Sequence, residues 1–273
     1  MPPSRAEALR AAAARLAEIS DTPRLDAELL LAETLGLTRE RLLLDGNAHV
    51  PAAFATLVAR RLRHEPVAYI VGRRAFWTIE LEVGPGVLIP RPDSESLLEA
   101  AVAVFGDRGP GRVLDLGTGP GTLLLAALDQ WPEATGLGVD VSEVALGYAR
   151  RNGARLAPGR AEFRRGRWTD GVHERFDLVL CNPPYVERGA KLTRQVAEWE
   201  PDVALYAGSE GLAEYRAVIP QLAEVLLPAG IVCLEVGAGQ AEAVQVLAVE
   251  AGFTIALRKD LSGHDRCLVL RRK

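Results

Sequence analysis

A run of alternating glycines stands between a short apolar segment and a helical one, and it constrains the fold more than any other feature of the chain. The apolar segment is 113–114, and the helical pattern covers 121–130. A glycine-rich turn in this context is typical of an open α/β sheet that binds a nucleotide-like ligand at the carboxyl ends of its strands. The run itself consists of Gly117, Thr118, Gly119, Pro120 and Gly121.

Beyond residue 93, short apolar segments alternate with helical ones, which predicts a doubly wound, mostly parallel sheet. The predicted strands are 113–114, 136–139, 162–164, 176–181, 231–235, 253–258 and 266–271, and the predicted helices are 121–130, 142–155, 211–226 and 239–251. Only the short polar loop 259–265 joins the last two strands. Such a loop is too short for a helical crossover, so these two strands are expected to pair antiparallel.

The part of the chain before residue 93 follows a different pattern. Up to about residue 64 the apolar residues recur at helical spacing, which predicts a small antiparallel helical bundle, with Gly36 at the end of its second helix. Between 69 and 88 the period changes to two around Trp77, Ile79 and Leu81, which is typical of a hairpin strand. We therefore expect three parts, which are a helical domain at 1–75, a hairpin linker at 76–92 and a catalytic domain at 93–273.

Composition excludes several classes of protein. A formal net charge of −4 argues against a dedicated nucleic-acid-binding protein. The three cysteines have no paired or metal-ligand spacing and the four histidines lie far apart, so neither a disulfide framework nor a metal site is expected. Because the first 19 residues show neither a signal peptide nor an uninterrupted apolar span, we expect a cytoplasmic protein without membrane contacts.

The only basic cluster of the chain lies near the end of the helical part. It is interpreted as a solvated helix face, and its alternative role is an electrostatic contact for a protein partner. The cluster consists of Arg60, Arg61, Arg63, Arg73 and Arg74.

Two acidic residues narrow the choice of ligand. Asp115 directly precedes the glycine run, and a carboxylate there would repel a pyrophosphate but favour a cationic amino-acid group. This pattern points to S-adenosyl-L-methionine rather than to NAD. Asp140 ends the next predicted strand, where it is placed to accept hydrogen bonds from both ribose hydroxyls. A helix N-cap before Ser142 is the structural alternative for Asp140.

A tetrapeptide with an amide, two rigid carbonyls and an aromatic ring follows the predicted strand 176–181. It consists of Asn182, Pro183, Pro184 and Tyr185. An acceptor from Asn182 and the carbonyl of Pro183 are predicted to bind both hydrogens of a substrate amide or exocyclic amine, and Tyr185 to pack against its flat face. The structural alternative is a strand that ends in a Pro-Pro turn.

With these motifs the sequence resembles the PrmC/HemK family of methyltransferases over nearly its whole length. The matching segments are 24–30, 65–70, 88–95, 117–121, 182–185 and 200–205. Segment 88–95 is the specific one, because Asn-Pro-Pro-Tyr also occurs in adenine and guanine amino-methyltransferases. The resemblance implies a Rossmann-like class I methyltransferase fold with an antiparallel last strand. It also implies methyl transfer from S-adenosyl-L-methionine to the side-chain N5 of the glutamine in the GGQ motif of class I peptide chain release factors, which modulates translation termination.

The resemblance also implies roles for individual residues. The cofactor would be held by Gly117, Thr118, Gly119, Pro120, Gly121, Asp140, Trp168 and Asn182. The substrate glutamine would be bound by Asn182, Pro183, Pro184 and Tyr185, with Asn182, Pro183 and Tyr185 catalytic. One position departs from the family, which usually has Asp before the aromatic residue. Here Arg167 takes that place, so residue 167 does not supply the Asp contact to the adenine amine, although Trp168 can still stack on the ring.

The partners follow from the same resemblance. These partners are class I release factors. From the net charge we expect no nucleic-acid binding, and we expect a monomer. The helical domain holds no candidate catalytic group, so we expect it to dock the release factor. Two alternatives stay open. An amino-methyltransferase acting on adenine or guanine in nucleic acid would use the same tetrapeptide on a flipped base. A cofactor-binding regulatory or scaffold protein without activity would tolerate loss of the acceptor pair, whereas Asn182 is intact here.

Overall fold

The computed structural model describes residues 4–44, 49–260 and 262–273. They form two compact units. The helical unit takes in the described residues up to 73 together with 192–199, and the sheet unit takes in 74–191 and 200–273. The sequence places segment 192–199 with the catalytic domain, whereas it clusters with the N-terminal helices.

The elements are numbered in chain order. The helices are α1 (Arg5–Leu16), α2 (Pro23–Leu35), α3 (Arg39–Leu44), α4 (Ala53–Arg61), α5 (Val67–Val71), α6 (Glu95–Phe105), α7 (Thr122–Gln130), α8 (Glu143–Leu156), α9 (Arg194–Trp199), α10 (Ala213–Val218) and α11 (Ala241–Glu250). The strands are β1 (Arg73–Phe76), β2 (Ile79–Glu82), β3 (Arg112–Leu116), β4 (Thr135–Asp140), β5 (Ala161–Arg165), β6 (Phe176–Cys181), β7 (Leu226–Glu235), β8 (Phe253–Lys259) and β9 (Asp265–Arg272).

Local signals set the helix ends of the helical unit. Ser4 caps α1, because its hydroxyl accepts from the backbone N–H of Glu7. The Glu7 carboxylate in turn accepts from the backbone N–H of Ser4. Pro23 occupies the first turn of α2, and Gly36 ends this helix in the left-handed conformation at φ 62°, as predicted. The apolar faces of these helices pack around a core that includes Leu16 and Leu30.

The basic cluster of the helical unit is not a uniform solvated face. Arg61 is only 3% exposed and its Nε lies 2.8 Å from Oδ2 of Asp26. The interpretation as a solvated helix face is therefore wrong for Arg61, which is buried. Its guanidinium is paired with Asp26, as a buried charge requires. Arg60 binds the buried Glu65, whereas Arg63 is exposed.

Seven strands form one sheet in the order β5-β4-β3-β6-β7-β9-β8. Pairing is parallel from β5 to β7, and β9 lies antiparallel between β7 and β8. This confirms the mostly parallel sheet with an antiparallel last strand. Residue 261 of the predicted loop 259–265 lies outside the described residues. Strands β3, β4 and β6 stand side by side in the sheet, so their carboxyl ends meet at one edge.

Three elements begin or end at other residues than the sequence predicted. The helix predicted at 211–226 covers only α10 and a short 3₁₀ turn at Ile219–Gln221, because Pro220 lacks the N–H that a longer helix needs. Strand β7 accordingly starts at residue 226 rather than 231. The predicted hairpin strand begins at Ile79, since Trp77 lies in the turn with φ 54° and its N–H donates to Glu95.

Three further observations bear on the expected class of protein. Within residues 4–44, 49–260 and 262–273, none of the helices is both long and apolar enough to cross a membrane. The same residues contain no cluster of three or more histidine, cysteine or acidic side chains arranged around a metal. Cys181, Cys233 and Cys267 are buried free thiols.

Candidate cofactor and substrate site

A cavity of about 250 Å³ opens where β3, β4 and β6 end in the sheet unit. Parallel α/β sheets bind ligands at this edge. Its walls come from the glycine loop after β3, from the end of β4 and from the tetrapeptide after β6. The residues that line it are Gly86, Val87, Leu88, Gly117, Gly119, Val139, Asp140, Val141, Ser142, Ala145, Gly166, Arg167, Trp168, Asn182, Pro184, Pro201, Val203, Ala204 and Glu214.

Alternate residues of the glycine loop face the cavity. Gly117 and Gly119 line it with positive φ values of 73° and 57°, a conformation that favours glycine. A Cβ atom on Gly117 would lie 3.7 Å from the Trp168 ring and 3.8 Å from the Asn182 carbonyl oxygen. The loop therefore brings Gly117, Trp168 and Asn182, which are far apart in sequence, to one wall.

The other loop residues point into the protein. The Thr118 hydroxyl donates to Oδ2 of Asp115 over 2.6 Å, and the Pro120 carbonyl accepts from Asn152 over 3.0 Å. A Cβ atom on Gly121 would approach the Leu125 side chain to 2.7 Å, so this glycine allows close packing of the turn on α7. Thr118, Pro120 and Gly121 thus shape the loop from outside the cavity wall.

Asp115 also holds the loop rather than lining the cavity. Its carboxyl group is 1% exposed, and Oδ2 accepts from Thr118 and from the backbone N–H of Leu124, at 3.1 Å for the latter. Burial raises the pKa of Asp115 to about 7, although these two hydrogen bonds lower it. Asp115 is thus not among the residues that line the cavity, and its expected place beside a cationic ligand group stays a prediction.

Asp140 joins the cavity wall at the end of β4. Its Oδ2 accepts from the backbone N–H of Gly119 and its Oδ1 from that of Ser142, both over 2.8 Å. Burial raises the pKa of Asp140, and the bonds from the Ser142, Gly119 and Val141 backbones oppose this shift. Ser142, not Asp140, is the N-cap of α8, since its hydroxyl accepts from Ala145. The Asp140 oxygens keep further lone pairs for a ligand.

Trp168 forms the wall next to Gly117. It is 7% exposed and has a positive φ of 52°. Its Nε1 donates to Oε2 of Glu214 over 3.1 Å, and the same carboxylate binds the Arg167 guanidinium at 3.1 Å. Glu214 itself lines the cavity, so α10 supplies an acidic group although residue 167 is basic. No sequence signal distinguishes Glu214, which is one acidic residue in a predicted helix.

The tetrapeptide presents two of its four residues to the cavity. Asn182 and Pro184 line it, whereas Pro183 and Tyr185 do not. Nδ2 of Asn182 donates to Oγ of Ser94 over 3.0 Å, which leaves Oδ1 as the acceptor for a ligand. Within the described part of the chain, no hydrogen-bond donor reaches the Pro183 carbonyl.

Tyr185 is fixed at both ends. Its hydroxyl donates to Oε1 of Glu235 over 3.2 Å, and its backbone carbonyl accepts from Nε2 of Gln240 over 3.1 Å. A Cβ atom on Gly237 would come within 2.9 Å of the Tyr185 ring and still closer to the Gln240 amide, so a side chain there would displace these groups. These contacts hold the tetrapeptide against the end of β7.

Sequence reasoning missed this supporting layer. Ser94, Glu235 and Gln240 are not in the predicted site, although Glu235 ends β7 and Gln240 follows it closely at the ligand-binding edge of the sheet. A position at the carboxyl end of a parallel strand is the sequence signal that could have added these residues to the predicted site. Glu235 is fully buried, and burial raises its pKa to about 7 while Ser94, Arg266 and Tyr185 lower it.

Segments 88–95 and 200–205 meet at the cavity rim. The buried Glu200 accepts from the Ile89 backbone over 3.0 Å and binds the Arg91 guanidinium at 2.5 Å. Leu88, Pro201, Val203 and Ala204 then complete the cavity wall. Two segments that the sequence singled out only by resemblance are thus joined by one buried carboxylate.

The sheet order, with an antiparallel strand inserted next to the edge, is that of class I S-adenosylmethionine-dependent methyltransferases. A methyltransferase from Pyrococcus furiosus superposes with a TM-score of 0.52 at 19% identity, covering 79% of this chain and 98% of that one. At this identity the likeness concerns the fold alone.

Two family models also match. The model of the PrmC N-terminal domain matches residues 7–72, and that of the methyltransferase small domain matches residues 94–199. A release factor glutamine methyltransferase from Rhodospirillum rubrum is 42% identical over 93% of this chain and 80% of its own length. Another from Caulobacter vibrioides is 42% identical over 91% and 89%. The chain belongs to the release factor glutamine methyltransferase family, and the predicted resemblance is confirmed.

Proposed function

We propose that this protein transfers a methyl group from S-adenosyl-L-methionine to the side-chain amide nitrogen of the GGQ glutamine in class I peptide chain release factors. The observation that carries the proposal is the Asn182 amide, whose Nδ2 is bound by Ser94 so that its Oδ1 is left for a ligand at the cavity. An amide oxygen in this place matches a substrate that offers N–H groups. The relatives named above support the release factor as the substrate.

The cavity fits the cofactor. Gly117 and Gly119 allow close backbone approach, Asp140 offers carboxylate oxygens for hydroxyl groups, and Trp168 offers an aromatic wall. We assign the ribose to Asp140 and the adenine ring to Trp168. When bound, S-adenosyl-L-methionine supplies an electrophilic methyl group.

The residues of the tetrapeptide would then orient the nucleophile. An amide nitrogen is a weak nucleophile, because its lone pair is delocalised into the carbonyl group. Oδ1 of Asn182 and the carbonyl of Pro183 would each accept one N–H of the substrate amide, which fixes the direction of the nitrogen. As the nitrogen gains a fourth bond it becomes positive, and the two acceptors stabilise that charge better than the neutral amide. The cationic product loses its proton to water readily, so no strong general base is required.

We further propose that the helical unit docks the release factor. A single glutamine offers few contacts, so discrimination must come from surface remote from the chemistry. Arg63 is the exposed member of the basic cluster, and we expect Arg63→Glu to raise the KM for the release factor without changing cofactor affinity. An unchanged KM would remove this contact, and Arg10→Glu on the exposed side of α1 serves as the charge-matched control.

The remaining assignments follow from this substrate. We propose a monomer that works in the cytoplasm, where release factors act, and that makes no nucleic-acid contact of its own. The net charge of −4 supports the last point.

Radiolabelled cofactor tests the proposal. The purified protein is incubated with a class I release factor, with the same factor carrying Ala for the GGQ glutamine, and with tRNA and DNA. We expect label only in the unaltered factor, on the glutamine side chain. Asn182→Ala should lower the rate about 100-fold or more, since it removes the group that orients the nucleophile. Label in nucleic acid but not in the factor would replace this function by the base-methylating alternative.

A further inference from the structure

The cavity has an acidic group beside Trp168 that no step of the proposed function uses. Glu214, in the first turn of α10, lines the cavity there. Its Oε2 accepts from Nε1 of Trp168 and from the Arg167 guanidinium, both over 3.1 Å. Its Oε1 accepts from the same guanidinium over 3.2 Å. The carboxylate therefore lies at the Nε1 edge of the Trp168 ring.

The two oxygens of Glu214 differ in how many donors they already bind. Each oxygen of an ionised carboxylate has about two positions for a donor. Trp168 and Arg167 occupy both positions of Oε2, whereas in the described part of the chain Oε1 accepts from Arg167 alone. The Glu214 side chain is 22% exposed, so a ligand in the cavity can reach it. Oε1 thus keeps a position for one further donor.

The other acceptors of the cavity have roles already. Among the described residues that line it, four side chains carry an acceptor, namely those of Asp140, Ser142, Asn182 and Glu214. Asp140 is assigned to the ribose and Asn182 to the substrate amide. The Ser142 hydroxyl accepts from the Ala145 backbone as the cap of α8. Glu214 remains, beside the ring to which the adenine is assigned.

Adenine has the donor that this place requires. A purine that stacks on an indole ring brings its own edge close to the indole edge. Along the purine edge the ring nitrogens of adenine are acceptors, which a carboxylate repels, whereas the exocyclic 6-amino group is a donor. Arg167 and Trp168 carry donors only, so neither side chain can accept from this amine.

We propose that Glu214 is the specificity-determining residue for the nucleobase, and that its Oε1 accepts one hydrogen of the adenine 6-amino group. The inference rests on the proposed function in one respect, which is the assignment of the adenine ring to Trp168. One carboxylate then holds Nε1 of Trp168 and also binds the ring stacked against it. A base with an oxygen at position 6 would place an acceptor against Oε1, so the site discriminates against it.

Equilibrium binding tests the inference without methyl transfer. Calorimetry measures the Kd of S-adenosyl-L-homocysteine and of its analogue that lacks the 6-amino group. For the unaltered protein we expect the analogue to bind about 10-fold or more weakly, since it lacks a hydrogen bond to a charged acceptor. In Glu214→Gln the amide oxygen should keep the two donors at the Oε2 position, which makes the Oε1 position a donor. This variant should therefore bind both ligands with equal affinity.

A second variant and a control complete the design. Glu214→Ala removes the acceptor together with the bond to Trp168. It should lose the discrimination as well, and bind both ligands more weakly than Glu214→Gln does. Glu210→Gln makes the same chemical change on an exposed acid shortly before α10, which binds Arg216 over 2.9 Å and is not part of the cavity lining. This control should keep both Kd values of the unaltered protein.

The outcomes separate this inference from the proposed function. Trp168→Leu tests the place of the adenine ring, and an unchanged Kd of S-adenosyl-L-homocysteine would remove that assignment and the inference with it. If this Kd rises but the unaltered protein binds both ligands equally, or Glu214→Gln keeps the ratio of the unaltered protein, Glu214 does not bind the amine. Methylation of the release factor decides the proposed substrate separately. Should circular dichroism show Glu214→Gln unfolded, the ratio for folded Glu214→Ala decides.

Discussion

Buried carboxylates have different kinds of partner in the two units. In the helical unit, Asp26 is paired with Arg61 at 2.8 Å and Glu28 with two arginines. In the sheet unit, Asp115 and Glu235 are buried still more completely, and their hydrogen bonds come mainly from hydroxyl and backbone groups. The first arrangement places a full positive charge beside each acid. The second leaves its protonation open near neutral pH.

The pKa directions express this difference. Burial raises the pKa of Glu28, but hydrogen bonds and charges from Arg24 and Arg39 outweigh it and the net shift is downward. For Asp115 and Glu235 burial prevails, and both pKa values rise to about 7. Direct contact with two full positive charges, together with less complete burial, therefore distinguishes Glu28 from Asp115 and Glu235.

The largest effect is expected where the paired arrangement is broken. Arg61→Ala leaves Asp26 buried without its cation, so the free energy of unfolding should fall by about 3 to 5 kcal/mol. Arg63→Ala, on the exposed neighbour, should change it by less than about 0.5 kcal/mol. Urea unfolding of both variants measures the contrast. Equal losses would mean that the burial of Arg61 has no energetic consequence.

A smaller, pH-dependent change in the free energy of unfolding is expected from Asp115 and Glu235, which have no arginine in direct contact within the described part of the chain. The folded state holds the Asp115 and Glu235 protons more tightly than the unfolded state, so stability falls as pH rises from the unfolded values near 4 towards 7. Relative to the unaltered protein, Asp115→Asn should gain on the order of 3 kcal/mol between about pH 4 and pH 8. Unfolding without cofactor measures this difference, and parallel stability curves would contradict it.

The smallest change in the free energy of unfolding is expected for Glu28→Gln. Its dependence on pH is opposite to that expected for Asp115. Arg24 and Arg39 are about half exposed, with side-chain exposures of 49% and 41%, so water screens the pair. We expect a loss of about 1 kcal/mol at neutral pH. Because the folded pKa of Glu28 is lowered, this contribution is present above the unfolded value and is lost as pH falls through the folded one. A loss that grows on acidification would contradict the paired arrangement.

Features that depend on neighbours along the chain could be predicted from the sequence. The glycine run after a strand, the tetrapeptide after β6 and the short loop between the last two strands each predicted a local geometry that the structure has. Gly36 ended its helix for the same reason, since a left-handed residue is a local requirement. Family resemblance added Trp168, which periodicity alone would assign to the core.

Which polar side chains meet could not be predicted from the sequence, because it depends on how distant elements pack. Ser94 and Asn182 are 88 residues apart, and Tyr185 and Glu235 are 50 apart. Helical spacing did not separate the buried Arg61 from the exposed Arg63, nor did it single out Glu214. The physical reason is that periodicity reports which face of an element is apolar, whereas a hydrogen bond or an ion pair depends on where a second element, distant in sequence, brings its own donor or acceptor.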